Sequence, residues 1–395
     1  MSARRSKTEL PTPRRRLTDT AAVLNDVFIA GTGLMTVQGL GVAENWQNLL
    51  AGRVLHETGI VPLDRDHALP RVSQLAVCAA EEAHIAVGSP SLNDGRTALV
   101  VGTSKGPIED WIDTLDGRRP PNVTLGLARI AADVAAALGH GQGPRLTLAG
   151  ACASGLLALI RAADLIRQGT CDQALVVAAE ASTHRLFQAN FQRLGVVATN
   201  EEGCRPFDTA RRGFLLAEAA SAVFLSRKLI GVGPCVMVDR ACHLADATHL
   251  TGPDPRATAL RRLLSELGPI PVDLVHAHGT GTLQNDAAEL PAIIDAFDHS
   301  HPAVFSHKHA IGHTQGAAGL IGVVLNVEMH RQAVILGNAN TASPMAESAK
   351  RQIAIDRTAK TSAVTQSVVI AAGFGGTLAA VRLATRHDNS AGMSN

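Results

Sequence analysis

The apolar positions of this 395-residue chain fall into two kinds of segment. Short β-branched runs alternate with longer Ala- and Leu-rich stretches whose apolar positions recur at helical spacing. The runs predict strands at 27–30, 98–101, 146–148, 175–178, 272–276, 303–306, 367–371 and 377–383. The stretches predict helices at 73–87, 125–138, 155–168, 255–267, 286–297 and 317–331. Alternation of this kind argues for an α/β architecture in which helices bury the sheets.

One part of the pattern occurs twice. The strand at 146–148 leads into Gly150-Ala151-Cys152-Ala153-Ser154-Gly155 and an apolar helix. The strand at 303–306 leads into Gly312-His313-Thr314-Gln315-Gly316 and another apolar helix. In each, a reactive residue type stands three positions before a glycine at a helix start. This echo divides the chain into related halves, 27–233 and 234–385, flanked by tails at 1–26 and 386–395. The first tail carries Arg4, Arg5, Lys7, Arg14, Arg15 and Arg16. It reads as a mobile solvated segment, with a contact to an acidic partner or a targeting role as the alternatives.

Composition narrows the function. A chain that is 46% apolar and 18% charged can bury a large core and is not disordered. Net charge is +1, aromatics are 3% and tyrosine is absent, so neither an electrostatic footprint nor stacking platforms argue for nucleic acid. No apolar run reaches the roughly 18 residues of a membrane span. Residues 1–26 lack the apolar core of a signal peptide. The six cysteines form no C-x-x-C pair, which suits reduced thiols in a cytoplasmic compartment.

Cys152 precedes a helix that is apolar nearly all round and therefore buried. A thiol at a helix N-terminus feels the positive end of the dipole, which lowers its pKa and favours the thiolate. Small neighbours permit a sharp turn that presents the side chain. Local context leaves two readings open, a nucleophile or a small buried hydrophobe. His278 and His313 each sit where a strand meets a Gly/Thr-rich turn, a place that faces a crevice. Two neutral imidazoles there can each donate an N–H to one developing oxyanion. Lys308 adds a nearby positive charge, and Glu289 is placed to orient it.

Other readings compete. His276/His278, His299/His301 and His307/His309/His313 are rich in imidazole, but alternate strand residues face opposite ways and no tetrahedral set with cysteine is evident. No metal is expected, and His276, His299, His301, His307 and His309 read as structural or exposed. Gly31-Thr32-Gly33 and Gly373-Phe374-Gly375-Gly376 both fail the dinucleotide fingerprint and read as tight turns.

Taken together, five motifs resemble the elongating β-ketoacyl-acyl carrier protein synthase family of the thiolase superfamily. They are Ala151 to Gly155; Arg205-Pro206-Phe207-Asp208; His278-Gly279-Thr280-Gly281-Thr282 with Asp286 and Glu289; Lys308 to His313 with Gly316-Ala317-Ala318-Gly319; and Gly373 to Gly376. The resemblance covers roughly 27–385. It implies a thiolase-like fold with duplicated halves in five αβαβα layers, and a homodimer or a closely related pair. It implies that Cys152 carries the acyl chain as a thioester. His278 and His313 would hold the carbonyl of a malonyl-type donor and the enolate left by decarboxylation. Lys308, with Glu289 as partner and Asp286 in support, would tune the pair. The N–H groups of Cys152 and Phe374 would form the oxyanion hole, with Phe374 as a gate. Thr280, Thr282 and Gly375 would meet the phosphopantetheine arm of an acyl carrier protein. No metal or redox cofactor is implied. The alternatives are a non-catalytic chain-length partner, which usually lacks the nucleophile, and another thiolase-superfamily enzyme.

Three places depart from the family pattern. Ala217-Glu218-Ala219-Ala220 replaces a Gly-Glu-Gly-Ala segment, so the loop there is expected to run differently. Ile370-Ala371-Ala372 replaces Asn-Ser-Phe, and Leu378 replaces an asparagine. An altered acyl entrance is the expectation.

Overall fold

A computed structural model describes residues 26–64, 68–118, 126–230, 234–249, 252, 254–350 and 353–386. The segments before 26 and after 386 lie outside the described residues. Ten strands form the frame: β1 (Phe28–Thr36), β2 (Thr97–Gly102), β3 (Arg145–Leu148), β4 (Gln173–Glu180), β5 (Ala219–Ser226), β6 (Cys235–Ala245), β7 (Leu274–His276), β8 (Ala303–Phe305), β9 (Gln366–Ala372) and β10 (Thr377–Arg386). The helices are α1 (Val42–Leu50), α2 (Arg71–Ile85), α3 (Ile108–Leu115), α4 (Arg129–Leu138), α5 (Ser154–Arg167), α6 (Arg185–Arg193), α7 (Thr258–Glu266), α8 (Leu283–Phe297), α9 (Lys308–Ile311), α10 (Ala318–Gln332) and α11 (Ala346–Lys350).

The strand order is β3-β2-β4-β5-β1 in the first half and β8-β7-β9-β10-β6 in the second. Pairing directions repeat as well. β2 runs parallel to β3 and β4, and β5 runs antiparallel to β4 and β1. β7 runs parallel to β8 and β9, and β10 runs antiparallel to β9 and β6. A single antiparallel pair, Phe28 with Met237, joins the two sets. The topology is thus duplicated, and the loop carrying Cys152 corresponds to the loop carrying Lys308 and His313.

Period-two alternation distributes each strand between two cores. Leu99 and Val101 of β2 face α2 and α4, whereas Ala98 and Val100 face α5 and α10. In the second half, Val368 and Ile370 of β9 face α7 and α8, whereas Val369 and Ala371 face the central helices. The order of layers is α2/α4, first sheet, α5/α10, second sheet, α7/α8. Buried on both faces, α5 and α10 are apolar on nearly every side. They approach closely at glycines: a Cβ on Gly319 would lie 2.7 Å from Leu156 Cγ.

All six predicted helices and eight predicted strands form, with ends shifted by a few residues. The prediction omitted β5, β6, α1, α3, α6, α9 and α11. β5 opens with Ala219-Ala220-Ser221, which carries little β-propensity. β6 interleaves Asp239, Arg240 and His243 among its apolar positions. The alanines of Ala217–Ala220 fit their backbone without strain. None of these residues has positive φ, and Glu218 donates its N–H to Gly59 O while Ala219 starts β5. Extended backbone suits alanine, so the missing glycines cost nothing there.

Candidate active site

The nucleophile loop follows β3. Ala151 takes φ +48, a left-handed conformation that costs a non-glycine residue about 1–2 kcal/mol. The turn is held by Ala153 N–H to Gly150 O (3.0 Å), by Gly150 N–H to Ser154 Oγ (2.9 Å), and by Ser154 Oγ–H to Ala151 O (2.7 Å). It sets Cys152 two residues before the start of α5. A Cβ at Gly150 would meet Leu157 Cδ1 at 2.4 Å, so the Leu157 side chain would have to shift.

The β9–β10 hairpin rests on this loop. Gly373 and Thr377 close it by a 2.7 Å bond, and Gly375 and Gly376 take φ +86 and +82. A Cβ on Gly373 would stand 2.7 Å from Gly150 O and 3.2 Å from Cys152 N. This closeness brings the Phe374 N–H to the Cys152 sulfur. The Phe374 ring is 37% exposed and stacks on Phe191 of α6 at 6.0 Å. Phe191 meets Phe214 edge-on, and Phe214 meets the His313 ring at 4.7 Å. Three of the nine phenylalanines therefore line a path from the surface to the histidine.

His278 stands two residues past β7. Its N–H donates to Glu289 Oε1 (2.7 Å), the Gly279 N–H donates to Glu289 Oε2 (2.8 Å), and Asn285 Nδ2 donates to the same oxygen (2.9 Å). Glu289 thus clamps the His278 turn. Its carboxylate also acts on Lys308 through charge. The Lys308 Nζ donates to His278 O. Asp286 similarly holds Phe207 N–H (2.7 Å) and Gly281 N–H (3.2 Å), and Phe207 sits at φ +59 with no exposure. Thr282 caps α8, and its hydroxyl lies 2.9 Å from that of Thr280. The Arg205–Asp208 motif is therefore a brace for the His278 turn.

His313 follows the four-residue α9 and a Gly312 at φ +85. Its N–H donates to Leu215 O at 2.7 Å, tying it to the first half. The His278 and His313 rings are 5.5 Å apart and nearly perpendicular. Cys152, His278, His313, Thr280, Thr282, Phe374 and Gly375 all line one cavity of about 200 Å³. Lys308, Glu289 and Asp286 lie buried behind it.

The electrostatics depart from the sequence expectation in one respect. Burial pushes the Cys152 thiol up to about 11. Lys105, Lys308 and the Phe374 N–H pull the other way, and burial prevails over them, so the resting thiol is protonated. Burial, then the Lys308 charge, hold both His278 and His313 well below the usual range, leaving neutral imidazoles. Burial also raises Asp286 to about 6 and Glu289 to about 7.

Sequence reasoning missed Lys105. It follows β2, the counterpart of β7, so its turn is the topological equivalent of the His278 turn. Its ammonium is held by Ser104 Oγ (2.9 Å) and by the Gln315 side chain, and stands over the Phe187 ring at 5.2 Å. Buried Glu180 supports the same region, accepting from Ser104 Oγ (2.6 Å) and Ser182 Oγ (2.6 Å). The available signal was a predicted strand at 98–101 ending in Gly102-Thr103-Ser104-Lys105-Gly106. Also missed were the lining residues Leu194, Val196, Asp246, His249 and Asn285. Leu378 lines the cavity too, so the Asn-to-Leu departure falls on the cavity wall. Among the described residues, no group of three His, Cys, Asp or Glu side chains could hold a metal ion, and no helix is long and apolar enough to cross a membrane.

Comparison with known proteins accords with this geometry. The family model for the Beta-ketoacyl synthase, N-terminal domain, matches residues 56–229, and that for the C-terminal domain matches 235–342. The chain is 31% identical over 271 residues to 3-oxoacyl-[acyl-carrier-protein] synthase 2 of Mycobacterium leprae, covering 63% of this chain and 64% of that protein. It is 28% identical over 370 residues to the Coxiella burnetii protein of the same name, covering 76% of this chain and 84% of that protein. The solved ishigamide ketosynthase/chain length factor superposes with a TM-score of 0.81 at 25% identity, covering 92% of this chain and 99% of that one.

Proposed function

Because the chain belongs to the β-ketoacyl synthase family, we propose that it catalyses the decarboxylative Claisen condensation of an enzyme-bound acyl group with a malonyl thioester carried by an acyl carrier protein. The observation that carries this reading is the convergence of Cys152, from the first half, with His278 and His313, from the second, on one cavity.

In the first half-reaction the Cys152 sulfur attacks the incoming thioester carbonyl. A neutral imidazole accepts the thiol proton, which overcomes the high thiol pKa at the moment of attack. The Cys152 and Phe374 N–H groups meet the developing oxyanion, and the carrier thiol leaves with the proton. One preorganised donor of this kind is worth about 10²–10³ in rate. In the second half-reaction the malonyl group loses carbon dioxide, and His278 and His313 donate N–H groups to the enolate oxygen. The enolate carbon then attacks the Cys152 thioester, forming a C–C bond and breaking the C–S bond. The chemistry calls for no cofactor beyond the carrier's phosphopantetheine arm.

Thr280 and Thr282 line the passage along which that arm would reach the sulfur. Two copies of the chain are the proposed assembly. The product is a 3-oxoacyl thioester of fatty acid or polyketide type. Six free cysteines suit the reducing interior of a cell. The test is a Cys152→Ala variant assayed for condensation and for release of carbon dioxide from malonyl carrier. Condensation is expected to vanish while decarboxylation persists. Retained condensation would remove the thiol from this role.

A further inference from the structure

Two buried histidines outside the cavity form a cross-link that the chemistry above does not use. His276 is the last residue of β7, two before His278. His307 follows β8, one before Lys308. β7 and β8 are parallel neighbours, and the two rings lie 5.0 Å apart with Nε2 of His276 2.8 Å from Nδ1 of His307. Each residue is 1% exposed. We propose that Asn326, His276 and His307 form a positioning relay that fixes the tautomers of both imidazoles and locks together the turns carrying His278 and Lys308. This inference rests on the functional reading above for its catalytic consequence.

The tautomers follow from one amide. Asn326 Nδ2 lies 2.6 Å from Gly322 O, a group that only accepts, which identifies that atom as the amino nitrogen. Its other hydrogen faces His276 Nδ1 at 2.7 Å, so that nitrogen holds a lone pair. The His276 proton is then on Nε2 and is donated to His307 Nδ1. The His307 proton is in turn on Nε2.

The relay completes a closed ring of links. His276 bonds to His307, and His307 is joined by backbone to Lys308. Lys308 bonds to the carbonyl of His278, and His278 is joined through Ala277 to His276. These two hydrogen bonds, with a third from Ser306 Oγ–H to Gly279 O at 2.8 Å, cross-link the same two turns. An aliphatic pair would fill this space without the desolvation of two imidazoles, so the polar pair needs a reason beyond packing. Burial and the Lys308 charge keep both rings neutral, so no second cation competes with Lys308.

The test compares His307→Leu, which removes the acceptor, with His307→Asn, whose Oδ1 can stand in for Nδ1. Acylation of the cysteine and condensation are measured separately with carrier-bound substrates. His307→Leu is expected to leave acylation within about twofold and to lower condensation kcat by at least about tenfold with KM little changed, whereas His307→Asn recovers most of the loss. Wild-type kcat in His307→Leu, or equal loss in both half-reactions and in both variants, would overturn the relay. A second readout needs no activity. In ¹⁵N-histidine NMR of the intact protein, two slowly exchanging Nε2–H imidazoles are expected at neutral pH, both altered in His276→Asn. Nδ1–H tautomers or imidazolium there would overturn the relay. An inactive wild-type protein with the expected NMR pattern would refute the proposed reaction and leave the relay standing.

Discussion

The Lys308 ammonium donates a hydrogen bond to the carbonyl oxygen of His278. The cation therefore acts on the backbone of one catalytic turn from the start of the other, and it does so while fully buried. Replacing it by methionine removes that bond and the buried charge from the turn. Lys308→Met is expected to lower malonyl decarboxylation by about a hundredfold while Cys152 still becomes acylated. Separate assays of the two half-reactions check this. Equal loss in both would show that Lys308 serves the whole site.

The thiol provides a pH prediction. A pKa raised to about 11 means that the thiolate fraction grows as pH climbs toward that value. Iodoacetamide labelling of Cys152 in the free protein is expected to rise about tenfold per pH unit between about pH 7 and 9, without a plateau. Mapping the labelled peptide by mass spectrometry follows the rate. A plateau near neutrality would mean that the helix dipole and the lysines overcome burial.

Gly373 sets how closely the gate hairpin approaches the nucleophile loop. An added Cβ would come within 2.7 Å of Gly150 O, so the hairpin must lift and carry the Phe374 N–H away from the sulfur. Gly373→Ala is expected to destabilise the protein by about 1–3 kcal/mol and to slow acylation by about a hundredfold. Denaturant unfolding and single-turnover acylation measure the two effects. Wild-type acylation in this variant would remove the Phe374 amide from the oxyanion site.

A buried ion pair braces the segment where the family glycines are absent. Arg71 Nη2 lies 3.0 Å from Glu218 Oε2, with side chains 7% and 4% exposed. The same carboxylate accepts the Val61 N–H at 3.2 Å. Arg71→Ala strands a buried charge and is expected to cost about 3–5 kcal/mol, read by urea unfolding. A loss under about 1 kcal/mol would mean that the pair behaves like an exposed one.

The fold was legible wherever local pattern and burial agreed. Leu156 to Ile166 is apolar on nearly every side because α5 is buried between two sheets, and its sequence says so directly. The echo around Cys152 and His313 was visible because both loops solve one problem, a reactive side chain at the start of a central helix. β5 was hidden because its first four residues, Ala219 to Ala222, are small where two layers of helices press closely. Cys152, His278 and His313 were named from motif spacing, but the pKa of the thiol was misjudged, since burial of the whole loop is a tertiary property. Lys105 went unnoticed because its importance comes from the duplicated topology. The sequence around it contains only a lysine between a serine and a glycine. In the sequence His276 and His307 read as structural or exposed, and only their mutual distance shows that they bridge the two catalytic turns.

The central claim is that the sulfur at 152 carries the acyl chain. Intact-protein mass spectrometry after incubation with an acyl carrier thioester tests it most directly. The predicted result is one acyl adduct, mapped to Cys152 and absent from Cys152→Ala. No adduct with any acyl carrier thioester, or an adduct that survives in the alanine variant, would contradict it.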